Sequence, residues 1–315
     1  MKFTSHISLV ERQQSGFTLI ELMVSITLGL LVVAAAFQLF ISSYSAFGLQ
    51  RGVADVQDSG SFGLEYVARD IRLANLNAPV ATSTVMTDET PSSGVVLKIG
   101  SAAANLPIAV SPLSGNGVSG SAATKTITTS DQLVIQFLPQ ADGIDCEGTA
   151  YLRTENQYVI QQYFVRNDAQ ATADEPSSLA LACRAGRLPN PVGAASIITW
   201  DNTTCTANCG QIVMTRVDYF HVLLGVFNPA TPATPYRYVS PQDYNTLAAP
   251  RPQIQSIQIG VLARALGSVS GNSQIDPNRS FRVLDKTVQP TATVTSARYV
   301  RQVFTTTVSI RNSLG

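Results

Sequence analysis

The chain has 315 residues, with 21 Lys and Arg against 21 Asp and Glu, and only 13% of its residues are charged. That balance leaves no basic field to attract nucleic acid, so nucleic acid is excluded as a partner. Thr, Ser, Ala, Val and Gln stand where charge is sparse, as in an extracytoplasmic β-rich protein, and the length outside the first 41 residues suffices for one large core or two small lobes.

Residues 1–16 are polar, set Lys2 and Arg12 against Glu11, and end in Gln13-Gln14-Ser15-Gly16. No Asp, Glu, Lys or Arg occurs from Leu22 to Gln50, and Phe17 to Ile41 is apolar enough to cross a hydrocarbon core of roughly 30 Å as a helix. Glu21 lies inside that span, where a carboxylate costs about 2.5 to 3.5 kcal/mol and needs a partner or a task. A secretory signal places its small-residue cleavage site after the apolar core, whereas Gly16 comes before it. A cut after Gly16 keeps the helix on the mature chain and exposes a new amine on Phe17. Lys2 and Arg12 set the orientation, with the leader cytoplasmic and everything after about Ile41 exported, which in a Gram-negative cell means the periplasm.

The run Gly16-Phe17-Thr18-Leu19-Ile20-Glu21-Leu22-Met23-Val24 resembles the class III signal of type IV pilins and type II secretion pseudopilins. The resemblance implies that a prepilin peptidase cuts between Gly16 and Phe17 and N-methylates Phe17. It also gives Glu21 a task, because the carboxylate of one helix can pair with the Phe17 amine of a neighbour at the positive end of its dipole. Glu21 is then a subunit-docking charge and not a catalytic acid.

Val53, Val56, Gly60, Gly63, Val67, Ile71 and Ala74 recur at spacings of three and four, which predicts an amphipathic continuation of the helix over 42–77. Glu65 and Arg69 are spaced for an i,i+4 pair, and Gly60 and Gly63 allow close approach to a sheet. The same glycines cost roughly 1 kcal/mol each in a helix interior, so a kink between Gly48 and Gly63 stays open. Many pilins bend this helix with a Pro near the end of the membrane segment. Gln38 and Phe40 occupy that neighbourhood here, which leaves the curvature open.

From Ala78 to Thr128 the chain is rich in Pro, Ser, Thr, Gly and Ala, with a short strand expected at Val95–Ile99 and a loop at Ser111–Gly120. Alternation predicts strands through Leu133, Ile135 and Phe137, through Ile257, Ile259 and Val261, and through Phe304, Thr306, Val308 and Ile310. Further strands are expected at Gln157–Val165, Leu179–Cys183, Ile197–Trp200 and Val213–Phe227. Asn228 to Pro252 and Gly267 to Pro277 read as surface connections. The expected fold is α+β: a long N-terminal membrane helix packed on an antiparallel β-sheet head over 78–315, pilin-like, with large insertions.

Cys146, Cys183, Cys205 and Cys209 all fall in the exported part, where disulfides are permitted. Four cysteines allow three connectivities. Proximity favours Cys205 with Cys209, leaving Cys146 with Cys183, and zinc is disfavoured because no C-x2-C spacing occurs.

No catalytic residue, metal or cofactor is assigned. His221 is the single histidine after the leader and lies in an expected strand, where a packed or edge position accounts for it. No nucleophile elbow, zincin helix, P-loop or dinucleotide fingerprint occurs, so an anchored periplasmic enzyme is the distant alternative. Asp142, Asp145 and Glu147 lack the alternating oxygen spacing of a calcium loop. Asn202-Thr203-Thr204 fits a glycosylation sequon that carries little weight in a bacterial chain.

Asp70 to Ala74, Asp131 to Gln136, Asp145-Cys146, Leu181 to Cys183 and the ending Arg301 to Asn312 resemble the PilW group of minor pilins. That resemblance implies a low-abundance subunit that primes type IV pilus assembly and sits in the tip complex. The partners it implies are other minor pilins, the major pilin, the prepilin peptidase, the inner-membrane assembly platform, a large tip adhesin and, before assembly, the lipid bilayer. The alternative in the same class is a GspJ-like minor pseudopilin of type II secretion. A ligand-binding head presenting loops at Ser111–Gly120 and Asn228–Pro250 is a third reading, against which loop composition favours plain solvated connections.

Overall fold

A computed structural model describes residues 16–76, 85, 93–97, 113–119, 122–171, 177–192, 196–202, 209–227, 235–248, 251–269, 275–290 and 298–311. The chain divides into two compact units, Met1–Phe47 and Gly48–Gly315. Helix α1, Leu19–Ile71, begins in the first and ends in the second. It is α-helical across Gly48 to Gly63, where a break remained open from sequence.

The second unit holds the strands. In chain order they are β1 (Gly115–Ser119), β2 (Ser130–Phe137), β3 (Gly143–Ile144), β4 (Ala150–Tyr151), β5 (Gln157–Asn167), β6 (Leu179–Pro189), β7 (Thr199–Trp200) and β8 (Gln211–Met214). There follow β9 (Val217–Phe227), β10 (Tyr236–Val239), the short helix α2 (Pro241–Thr246), β11 (Gln253–Arg264), β12 (Phe281–Val283), β13 (Lys286–Val288) and β14 (Arg301–Ser309). One sheet runs β1-β2-β5-β6-β7 with β8 also on β6, a second runs β10-β9-β11-β14, and β3-β4 and β12-β13 are separate hairpins. Every pairing between these strands is antiparallel. The architecture is therefore α+β.

One core joins α1 to both sheets. Val56, Leu64, Val67 and Ile71 of the helix meet Leu133, Ile135, Tyr163 and Leu181 of the first sheet and Phe220, Val222, Ile257 and Ile259 of the second. A second cluster, with Val134, Ile160 and Leu188, covers the opposite face of the first sheet. This explains why β2 is buried at every position although its residues alternate faces. On the opposite face of the second sheet, Tyr219 and Leu262 are covered by Val283 and Val288 of the β12-β13 hairpin.

Several boundaries differ from expectation. The helix ends at Ile71 and not at 77, passing into turns closed by bonds from the Leu73, Ala74 and Leu76 amides to carbonyls three residues back. Within these turns Asn75 takes a left-handed φ of 63°. Its side-chain oxygen accepts from the Gly94 amide and its nitrogen donates to the Arg311 carbonyl, so the same residue pins two distant segments. The buried stripe starts at Gly52 in place of Val53. Glu65 pairs with Arg72 at 3.3 Å rather than with Arg69, whose guanidinium lies over the Tyr66 ring and 3.5 Å from Asp70.

Part of the expected loop at 111–120 is strand β1. Val213–Phe227 is two strands, β8 and β9, separated at Thr215 and at Arg216 with φ 57°. The connection from Asn228 to Pro252 contains β10 and α2. Of the strand expected at Val95–Ile99, Val95 and Leu97 make only isolated bridges, and the last two residues lie outside the described set, as do Cys205 and the sequon residues Thr203 and Thr204.

Candidate functional site

In the first unit, Gly16, Phe17 and Thr18 precede α1 and Glu21 stands in its first turn. The Glu21 amide donates to Thr18 Oγ1 at 3.3 Å, and the Leu22 amide donates to the Thr18 carbonyl at 3.1 Å. Thr18 is thus the N-cap and Glu21 the third helical residue of a T-x-x-E sequence, the arrangement of a capping box. The sequence carried this signal directly before the apolar run, where a charge-only reading of Glu21 passed over it.

The hydroxyls inside the span are satisfied within the helix. Ser25 Oγ donates to the Glu21 carbonyl at 2.7 Å and Thr27 Oγ1 to the Val24 carbonyl at 2.9 Å, leaving no demand for water there. Phe17, Leu19, Ile20, Leu31, Leu39 and Phe40 are all more than 60% exposed. A stretch of α1 is long and apolar enough to cross a membrane and is wholly unburied. Between Leu19 and Ile41 the helix rises about 35 Å, enough for a bilayer core.

In the second unit, a cavity of about 520 Å³ opens between Phe62 and Tyr66 of α1 and Ile212 and Val213 of β8. Burial raises the Tyr66 phenol above its ordinary pKa, with Asp70 adding to the effect. Nearby, Cys146 and Cys183 form a disulfide that ties the turn after β3 to the middle of β6, their Cα atoms 5.9 Å apart. Cys209 is disulfide-bonded as well, and its expected partner Cys205 lies outside the described residues.

Around that disulfide the carboxylates are committed to backbone amides. Asp145 Oδ1 accepts from the Glu147 and Thr149 amides, Glu147 Oε2 from the Ala185 amide and Asp142 Oδ1 from the Arg153 amide. Arg187 Nη2 donates to Asp145 Oδ2 at 2.7 Å, and its Nη1 lies 3.3 Å from Asp201 Oδ2 as an ion pair without hydrogen-bond geometry. Burial, together with the neighbouring Asp145, pushes the Asp201 carboxyl up to about 7.

His221 is fully buried on β9 between two carboxylates: Nδ1 is 2.6 Å from Asp131 Oδ2 of β2, and Nε2 is 2.6 Å from Asp285 Oδ1 in the β12-β13 turn. Burial pulls the imidazole toward its neutral form, but the hydrogen bonds and charges of Asp131 and Asp285 outweigh it and raise its pKa. Asp285 is held below the usual carboxylate range, because hydrogen bonds from His221 and Lys286 exceed the opposing effect of burial. With both ring nitrogens occupied, His221 has none to offer a substrate or metal. Among the described residues, no group of three or more His, Cys, Asp or Glu is placed to hold a metal ion.

Sequence reasoning placed His221 in a strand and missed both partners. Asp131 lies 90 residues away and Asp285 lies 64 away, so no local pattern joins them.

Residues 12–37 match the family model described as the prokaryotic N-terminal methylation motif, and residues 162–312 match that of type IV pilus-assembly protein W. Among solved structures, a type IV-like pilin from Thermus thermophilus is similar at 14% identity and a TM-score of 0.36, over 81% of this chain and 97% of that one. No curated protein matches the chain. The methylation motif and the apolar helix fit a membrane-anchored pilin.

Proposed function

We propose, from the premise that this chain is a PilW-like, type IV pilin-like protein with an N-terminal methylation motif, that it is a non-enzymatic minor pilin of the complex that primes pilus assembly and occupies the tip. The observation that carries this is the unburied apolar start of α1, most of which falls within the methylation motif. Such a surface is a membrane anchor before assembly and a helix-packing surface afterwards.

On this reading, residues 1–16 are a cytoplasmic leader removed by prepilin peptidase, which also methylates Phe17. Residues 17–41 span the inner membrane, and the head is periplasmic. Extraction into the filament exchanges lipid contacts for helix contacts, and Glu21 meets the Phe17 amine of a neighbour. Its partners are other minor pilins and the major pilin, served by the inner-membrane platform.

Deleting the gene and counting surface pili tests the role, together with capture of sibling minor pilins by the full chain. Loss of pili with recovery of siblings is expected. Unchanged piliation with no sibling recovered overturns the proposal, and loss of type II secretion with normal pili moves the protein to the minor pseudopilins.

A further inference from the structure

We infer that His221 is a proton-operated latch: as an imidazolium it clamps the β12-β13 hairpin to both sheets through Asp131 and Asp285, and loss of its proton releases the hairpin. The inference stands independently of the pilus reading. With a carboxylate oxygen 2.6 Å from each ring nitrogen, both contacts are hydrogen bonds to ionised acids only when both nitrogens carry a hydrogen, which is the charged ring. Neutral His221 can donate to one carboxylate and turns a lone pair toward the other.

The two ends of the clamp are unequal. Asp131 is buried and held by several donors. Oδ2 accepts from the Val222 amide at 2.9 Å and from Asn116 Nδ2 at 2.7 Å, Oδ1 accepts from the Gly117 amide at 3.0 Å, and His221 lies 2.6 Å from Oδ2. Asp285 is 45% exposed, and its other contact is Lys286 of its own hairpin at 3.1 Å. The ring therefore keeps Asp131 when it loses a proton, and Asp285 is the contact that fails. Its exposure also opens a path for the proton to water.

Among the described residues, Asp131 and Asp285 are the charges that act on the ring. Tyr219 of β9 stacks on it with centroids 5.8 Å apart, and the β11 residue opposite is Gly260. In the hairpin, Arg282 Nε donates to the Leu284 carbonyl within the same turn.

The hairpin needs an anchor. Two three-residue strands are marginal alone, and Leu284 at the turn holds φ 56°, a left-handed conformation unfavourable for a residue with a side chain. Apart from the latch, Val283 and Val288 pack over Tyr219 and Leu262, and just past β13 the Lys125 amide donates to the Gln289 carbonyl at 2.7 Å beside a Thr124–Pro290 bridge, so the turn at Leu284 and Asp285 is the end that the latch alone ties to Asp131. Val283 also packs where a Cβ on Gly260 would lie, at 2.8 Å.

The test is amide hydrogen exchange of residues 281–288 in the full chain in detergent micelles from pH 5.5 to 9, corrected for intrinsic rates. Selective ¹⁵N-histidine NMR runs alongside, since only His6 and His221 give signals. Hairpin protection is expected to fall roughly tenfold per pH unit across the titration of His221, while β2 and β9 stay protected. Asp285→Asn should abolish the dependence, because its amide can donate to the neutral ring. Protection that stays flat through the titration, a ring singly protonated throughout, or an Asp285→Asn curve like the parent's would each overturn the inference.

Discussion

Tyr163 Oη donates a 2.6 Å hydrogen bond to Asp70 Oδ2, fastening the last turn of α1 to β5 at the middle of the first sheet. Both side chains are buried. Burial raises the Asp70 carboxyl above its ordinary pKa despite the bond from Tyr163, and lifts the Tyr163 phenol well above its own. This buried polar contact joins the helix end to a core that is otherwise mainly apolar.

Removing the donor should be worse than neutralising the acceptor. Tyr163→Phe leaves a buried carboxylate short of its bond and should cost about 1.5–3 kcal/mol. Asp70→Asn keeps an acceptor without the charge and should cost less. Urea unfolding followed by circular dichroism ranks the two, and equal losses would show that the bond does not govern this joint.

A second joint depends on the absence of a side chain. A Cβ on Gly60 would fall on the Phe304 ring, and one on Gly63 would stand 2.6 Å from Met214 Cε. Gly60→Ala should therefore destabilise the head by about 1–3 kcal/mol through overpacking, although Ala is the better helix former. Combining it with Phe304→Leu should recover part of the loss. Additive losses in the double variant would place the cost in the helix instead of the contact.

Much of this fold was legible because burial repeats along the chain. The helical stripe through Val56, Gly60, Gly63 and Val67 and the alternation through Ile257, Ile259 and Val261 follow directly from facing a core. Strand β1 escaped because Gly115, Asn116 and Gly117 carry no apolar period: only Gly115 and Ser119 sit in register with β2, and between them Asn116 and Gly117 bond the Asp131 carboxylate. The division between β8 and β9 escaped because Arg216, not Gly or Asn, takes the left-handed position. The edge contact between the sheets was beyond reach for another reason: Ser130 Oγ and Asp131 Oδ2 accept from the Phe220 and Val222 amides in place of a strand, a substitution with no sequence signature.

Glu21 stands at the third helical position of the Thr18 capping sequence, its amide bound to Thr18 Oγ1, and is proposed as a docking charge; one substitution separates the two roles. Gln serves at the third helical position of a capping box as Glu does, so Glu21→Gln preserves the cap and deletes the charge. Leader processing and membrane insertion should continue while surface pili fall at least tenfold, read by immunoblot and by counting filaments. Parental piliation would leave Glu21 only its cap. Thr18→Ala does the reverse, weakening the helix start by about 1 kcal/mol with the charge in place.

Asp201 sets the last expectation, because its folded pKa of about 7 lies above the usual carboxylate value. From about pH 4 to 7 the folded head holds a proton that the unfolded chain has released, so stability falls as pH rises through that window and levels off above it. Burial is the main cause and Asp145 adds to it, while Arg187 opposes both: Asp145 takes the 2.7 Å bond from Arg187, and an ionised Asp201 would stand against Asp145 with the weaker 3.3 Å contact. Asp201→Asn should unfold at nearly the parent's midpoint at pH 4. At pH 8 it should exceed the parent by something on the order of 1–3 kcal/mol. His221 shifts stability in the same direction in both proteins, so the difference between the two curves isolates Asp201. Parallel curves from pH 4 to 8 would mean that Arg187 neutralises both acids, and the buried pair would then be an ordinary ion cluster beneath the Cys146–Cys183 bridge.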